Sequence, residues 1–166
     1  MKLQISELEK MARHDVLTGL PNRRSFIEAL ETRIMRCQRY GDITALLYLD
    51  VNGLKSVNDA QGHTAGDQLL VHLGRLLDDN IRASDMVARI GGDEFALLLD
   101  KLDADQVEAK IKFLMERIAS STLHYDGSQI KMSAAIGYCF VGPKDSVEDL
   151  MVQADQAMYA LKPGQS

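Results

Sequence analysis

The 166-residue chain has only two cysteines, no hydrophobic run of membrane-spanning length and no excess of basic charge. Each absence removes a class of function. Cys37 and Cys139 lack metal-ligand spacing, and they fall on an expected helix and an expected strand, so reduced, buried thiols are expected rather than a disulfide. No apolar stretch approaches the roughly 20 residues of a membrane span, and no signal-peptide pattern precedes the first element. A cytosolic domain without membrane contact of its own is therefore expected, whatever anchors a longer protein containing it. The net charge of -5 argues against a nucleic-acid polymer as partner, because phosphate backbones call for a basic face. A single nucleotide stays open, since a metal ion can supply positive charge locally. Internal repeats and low-complexity tracts are also missing.

What is present is an ordinary globular composition, 46% hydrophobic and 26% charged, with enough chain to bury a core as one domain. Leu3, Ile5, Leu8 and Met11 suggest a helix over 1–13, broken at His14-Asp15 and at Thr18 to Asn22. Phe26, Ile27, Leu30 and Ile34 mark a helix from about 22 to 40. Ile43 to Val51 is too short and too continuously apolar for a surface helix and reads as a central strand. Leu69, Leu70, Leu73, Leu76, Leu77 and Ile81 predict a helix from about 65 to 82. A hairpin of Met86 to Ile90 and Phe95 to Leu99 follows. Asp103 with Gln106 forms a capping box for the next helix, and Asp126-Gly127 suggests a small hairpin. Lys131 to Val141 reads as a strand, and Ser146 with Asp149 caps a last helix stopped by Pro163-Gly164.

The core order, strand-helix-strand-strand-helix-strand, is the α+β, split βαβ pattern of ferredoxin-like folds, with added terminal helices. If the first two strands run parallel with the third between them, Asp50 at the end of the first lies beside the tip of the hairpin. That tip reads Arg89-Ile90-Gly91-Gly92-Asp93-Glu94-Phe95. On its own, the stretch suits a solvated hairpin with glycines at positive φ as well as it suits chemistry. Carboxylates converging from two strand ends shift the reading, because they form a hard-oxygen site for Mg²⁺ or Mn²⁺. Two such ions can hold a nucleoside triphosphate and polarise the phosphorus under attack. Asn52-Gly53-Leu54-Lys55, just after Asp50, reads as a tight turn whose backbone N–H groups could cradle phosphates. Lys55 alone reads as a solvent-facing lysine, and beside two metal-competent acids as a group that neutralises developing charge.

Four blocks resemble a GGDEF-type diguanylate cyclase domain: Asp15 to Arg24; Asp50 to Lys55 continuing through Asn58-Asp59, Gly62-His63 and Gly66-Asp67; Arg89 to Phe95; and Ala154-Asp155 with Ala157-Met158-Tyr159. They span nearly the whole chain in the family's order. The resemblance implies a palm-like nucleotidyl-cyclase domain over 14–166 and a linker or signalling helix over 1–13 that connects to an upstream sensory domain. It implies that Asp50, the Val51 carbonyl and Asp93 bind two Mg²⁺ (or Mn²⁺) ions with Glu94 in support. Asp93 would accept the ribose 3′-hydroxyl proton and Lys55 would stabilise the transition state. Asn58 and Asp67 match guanine-reading positions, and a carboxylate suits guanine N1–H, which adenine lacks. His63 either touches the nucleotide or holds the Gly62 turn. Gly53, Leu54, Gly91 and Gly92 would lie along GTP, and Lys162 would hold its terminal phosphates.

The implied reaction joins two GTP molecules into cyclic di-GMP across a homodimer, each protomer holding one GTP. Arg82 and Asp85 match the family's Arg-x-x-Asp product-inhibition motif; a local salt bridge is the plainer reading of the same pair. Arg23 and Arg24 are expected to be structural, pairing with Asp15 or a helix end, and His72 and His124 to be surface or satisfied core residues. Three departures stand out. Asn52 and Leu54 replace the family's common Asp and Phe, and Pro163-Gly164-Gln165-Ser166 supplies no arginine after Lys162. A catalytically weak domain that senses GTP or cyclic di-GMP is the alternative.

Overall fold

The computed structural model describes Leu8 and residues 12–162. Eleven elements follow in order. They are α1 (Arg23–Tyr40), β1 (Thr44–Val51), α2 (Leu54–Gln61), α3 (His63–Asp79), β2 (Met86–Arg89), β3 (Glu94–Asp100), α4 (Ala104–Ser120), β4 (Thr122–Tyr125), β5 (Ser128–Lys131), β6 (Ala134–Phe140) and α5 (Val147–Tyr159). Four strands form one sheet in the order β2-β3-β1-β6, and β4-β5 is a separate ribbon. Every neighbouring pair in the large sheet is antiparallel, so β1 and β2 are parallel with β3 between them, the ferredoxin-like arrangement expected.

Helices cover both faces of this sheet, which explains why β1 is apolar without alternation. Leu47, Leu49 and Val51 face one core with Leu69, Leu73 and Leu77 of α3 and Val107, Leu114 and Ile118 of α4. Leu46 and Tyr48 face the other, with Phe26, Leu30 and Ile34 of α1 and Leu150, Met151, Ala154 and Met158 of α5. Asn22, Asp103 and Ser146 cap their helices by accepting from the third backbone N–H beyond, and Asp103 with Gln106 completes the capping box.

Five expectations need correction. Asn52 to Lys55 is not a bare turn: Gly53, with φ 72°, starts the short helix α2, whose polar residues carry too little periodic signal to read in advance. Helix α3 runs from His63 to Asp79 and not from 65 to 82, so Arg82-Ala83-Ser84-Asp85 forms a turn beyond its end. The stretch from Lys131 to Val141 is divided, because Met132 and Ser133 leave the ribbon before β6 joins the main sheet. Gly91 and Gly92 do not take positive φ. Asp15 pairs with Arg89, not with Arg23 or Arg24; Arg24 lies 3.9 Å from Glu28 instead.

Of the helix expected over 1–13, Leu8, Ala12 and Arg13 are helical, and its other residues lie outside the described ones, as does the Pro163-Gly164 stop. Cys37 and Cys139 are both free thiols, donating to the Val141 and Leu150 carbonyls, and burial pushes the Cys139 thiol up to about 11. His72 is satisfied by Ser121, with Nε2 and Oγ 2.6 Å apart. Among the described residues, no helix is long and apolar enough to cross a membrane.

Candidate active site

Strand register brings the acidic residues together. Asp50 lies directly across from Glu94 in the β1–β3 ladder, and the Val51 N–H donates to the Asp93 carbonyl at 3.2 Å. One carboxylate oxygen from each of Asp50, Asp93 and Glu94 lies within 4.8 Å of the other two. The turn holding Asp93 and Glu94 is closed by the Ile90 N–H on the Glu94 carbonyl, 3.0 Å. It is also braced from outside. Arg89 donates through Nη2 and Nε to the Gly92 carbonyl at 2.8 and 3.3 Å and through Nη1 to both Asp15 oxygens at 3.0 and 3.1 Å.

Asp15 in turn accepts from the Thr18 N–H and hydroxyl. Burial alone would raise the Asp15 carboxyl, but these hydrogen bonds and the Arg89 guanidinium hold it below the usual carboxylate range. The first sequence block is thereby tied to the hairpin. Sequence reasoning missed this function of Arg89. The only available signal was an arginine two residues before a glycine pair, which does not name its partner.

Three like charges at one sheet edge are unfavourable without compensation. Burial pushes the Asp50 carboxyl up to about 6; the Lys162 ammonium opposes that rise and the nearby Asp93 adds to it. Glu94 is also raised, first by burial and then by Asp155 and Asp93, with Arg23 pulling the other way. Asp155 and Arg23 thus belong to the electrostatic surroundings of the site. Asp50 Oδ1 is buried and has no hydrogen-bond partner. An orphaned carboxylate oxygen among hard-oxygen donors fits a divalent cation.

Lys162 Nζ stands 3.0 Å from Asp50 Oδ2 and 3.2 Å from the Val51 carbonyl. A single cation can therefore touch both of these expected metal ligands. Asn52 is tied to Ser133 by side chain and backbone, at 3.1 and 2.9 Å.

Beyond β1, Gly53 begins α2 with no side-chain cap. The first N–H groups of that helix are consequently unsatisfied from within it. Lys55 is exposed and forms no ion pair among the described residues. Asn58 on α2 packs against Gly66 on α3 so closely that a Cβ at Gly66 would sit 1.8 Å from Asn58 Oδ1, another buried and unpartnered oxygen. His63 and Asp67 are exposed on the first turns of α3, after the kink at Gly62 with φ 91°. A Cβ at Gly92 would meet nothing within 4 Å, so the hairpin tip is open to an approaching ligand.

Arg82 and Asp85 lie at the other end of β3. Asp85 accepts from Arg82 N, Nε and Nη2 at 3.0, 3.2 and 3.1 Å and from the Asp100 N–H at 3.1 Å. Its side chain is only 2% exposed, while that of Arg82 is 51% exposed. The pair forms the local salt bridge, and Asp85 serves to orient the arginine.

A ferredoxin-like sheet that presents a three-carboxylate, hard-oxygen edge beside an uncapped helix start defines a class of domain that can hold a metal-bound phosphate ester. The chain belongs to the GGDEF diguanylate cyclase domain family, which matches residues 12–166. It is 38% identical over 157 residues to MucR of Pseudomonas aeruginosa, a bifunctional diguanylate cyclase/cyclic di-GMP phosphodiesterase, covering 94% of this chain and 23% of that protein. It is 34% identical over 161 residues to the diguanylate cyclase DgcS of Shewanella oneidensis, covering 96% of this chain and 53% of that protein. The crystal structure of the coiled coil and GGDEF domain of DgcB from Caulobacter crescentus, in complex with c-di-GMP, superposes with a TM-score of 0.88 at 25% identity. That match covers 96% of this chain and 85% of the DgcB chain. The chain spans 23% and 53% of the lengths of the two curated relatives.

Proposed function

We propose that this domain is a diguanylate cyclase, converting two GTP into cyclic di-GMP and two pyrophosphates. The observation that carries the reading is the convergence of Asp50, Asp93 and Glu94 on one sheet edge with a buried, unpartnered Asp50 oxygen. Asp50, the Val51 carbonyl, Asp93 and Glu94 would hold Mg²⁺ or Mn²⁺. When bound, the metal supplies Lewis-acid polarisation of the phosphoryl oxygens and neutralises their charge. The protein does the rest. The N–H groups at the start of α2 and the open tip at Gly91-Gly92 receive the triphosphate, and Lys55 compensates charge on the leaving pyrophosphate.

Asp93 takes the proton as the 3′-oxygen of one GTP forms a bond to the α-phosphorus of the other and the α–β phosphoanhydride bond breaks. A second protomer supplies that second GTP, so much of the catalysis is bringing two held substrates face to face. Asn58 and Asp67 read the guanine edge, Arg82 binds the product in feedback inhibition, and residues 1–13 link the domain to an upstream sensor.

The test is to incubate the protein with GTP and Mg²⁺ at high protein concentration, with Arg82→Ala in parallel, and look for cyclic di-GMP by mass spectrometry. Product from the wild type, or from Arg82→Ala when copurified product blocks the wild type, is the expected result. No product from either protein overturns the reading. A nucleotide-binding module with little turnover is the second reading, favoured by Lys162 standing on Asp50 rather than free for phosphate.

Two further outcomes are expected. Gly66→Ala must displace the Asn58 amide, because the new Cβ would overlap its oxygen. KM for GTP rises about tenfold, the scale of about one strong hydrogen bond, while kcat changes little; steady-state kinetics separates the two.

Protons compete with metal at Asp50, whose carboxyl titrates at about 6. Divalent-metal affinity is therefore level at neutral pH and falls by up to about tenfold per pH unit below about pH 6, as Mn²⁺ titrations followed by electron paramagnetic resonance will show. The stability of the metal-free protein runs the opposite way with pH, because metal needs the carboxylate and folding favours the carboxyl. A carboxyl raised by folding favours the folded state at low pH, and this advantage is lost as pH rises through about 6. Asp50→Asn accordingly stabilises the metal-free protein at neutral pH but not at about pH 4.

A further inference from the structure

We propose that the Lys162 ammonium is an internal competitor for the divalent-metal position, holding Asp50 and the Val51 carbonyl until a triphosphate draws the lysine away. The proposal rests on the reading of Asp50, Val51, Asp93 and Glu94 as the metal ligands. Lys162 Nζ has three oxygen acceptors, Asp50 Oδ2 at 3.0 Å, the Val51 carbonyl at 3.2 Å and Asn52 Oδ1 at 3.4 Å. Two of the three are ligands assigned to the metal, so the ammonium and a divalent ion compete for the same acceptors and repel one another at that distance.

The pair is not an ordinary surface bridge. The Lys162 and Asp50 side chains are 19% and 15% exposed, so solvent screens their attraction less than it does an exposed pair. Yet the lysine leaves the site incompletely satisfied, because Asp50 Oδ1 stays buried without a partner. A monovalent point charge fills the position without meeting all of its donors.

The lysine is also placed to leave. It follows the end of α5 in a turn closed by its own N–H on the Tyr159 carbonyl at 3.1 Å. Four rotatable methylenes carry the amine, so it can move from carboxylate to phosphate while α5 stays seated. Asn52 takes part as well. The residue that stands in place of a common aspartate offers the ammonium a neutral amide oxygen, weaker than a second carboxylate would be.

Linkage follows. Without nucleotide, metal must displace Lys162, and its apparent affinity is reduced by the fraction of time the site is occupied. A triphosphate gives the ammonium another anion, removes the competition, and so makes metal and nucleotide strengthen one another's binding reciprocally.

The experiment is Mn²⁺ binding to the nucleotide-free protein, read by electron paramagnetic resonance, for wild type, Lys162→Met, Lys162→Arg and the double variant Lys162→Met with Asp50→Asn. If the site is free about a tenth of the time, Lys162→Met binds Mn²⁺ about tenfold more tightly than wild type. Lys162→Arg keeps the charge and stays near the wild-type value. Unchanged or weaker binding by Lys162→Met, or equal tightening by Lys162→Arg, overturns the competitor role. Mn²⁺ binding that survives in the double variant overturns the metal-site reading beneath it. Thermal melts of each variant confirm a folded protein, and Lys162, beyond the last helix, contributes no core side chain.

Discussion

Asp93→Asn is expected to lower the rate of cyclic di-GMP formation at least about a thousandfold, or about 4 kcal/mol of transition-state stabilisation, without unfolding the domain. Asp93 combines two duties in the proposed reaction, ligand to the metal and acceptor of the 3′-hydroxyl proton. Positioned general bases alone contribute about a hundredfold to ten-thousandfold. Asparagine keeps the size of the side chain but cannot accept the proton, and its neutral oxygen is a poorer ligand for a hard cation.

The fold does not depend on the carboxylate. The backbone carbonyl of Asp93 takes the Val51 N–H, and the turn is anchored through the Gly92 carbonyl by Arg89. Removing one of three mutually repelling acids should leave the melting temperature of the metal-free protein unchanged or higher. Initial rates by chromatography and thermal melts in parallel test both halves. A variant within tenfold of wild-type activity would remove Asp93 from the chemistry.

Gly137→Ala is expected to cost about 3 kcal/mol of stability, and Gly137→Val to prevent folding. Gly137 pairs with Tyr48 across β6 and β1, on the sheet face covered by α5. A Cβ there would lie 2.1 Å from the Met158 nitrogen and 2.4 Å from the Ala157 carbonyl carbon. Both are backbone atoms of a helix and cannot rotate aside, so α5 as a whole must lift. Lifting it loosens Leu150, Met151, Ala154 and Met158, which are all buried. It also shifts the segment that delivers Lys162 to Asp50. Urea denaturation measures the loss as a lower midpoint at unchanged slope. An unchanged midpoint would mean that strand and helix do not need this close approach.

Much of this molecule was legible along the chain. The helical period in Phe26, Leu30 and Ile34, the capping pairs Asp103-Gln106 and Ser146-Asp149, and the apolar run through β1 are local signals, and each corresponds to the element observed. Helix α2 was not legible, because its residues are largely polar and none is fully buried. The division of the stretch from Lys131 to Val141 was hidden for another reason. Nothing in a run of strand-forming residues says which sheet each half will join.

Within the candidate site, Asp50 and the Asp93-Glu94 pair stood out as acids at strand ends, and strand order was enough to expect that they meet. Asp15 to Arg89, Lys162 to Asp50 and Gly137 to Met158 were invisible. Side-chain periodicity is fixed by the backbone over a few residues, so the sequence by itself determined the elements, their order and the acidic character of one sheet edge. Contacts between residues far apart in the chain depend on how helices seat on the sheet, and long side chains such as lysine and arginine choose partners only after that packing is complete. Tertiary structure alone therefore decided which cation stands on Asp50, what braces the hairpin that carries Asp93, and where the backbone must be bare.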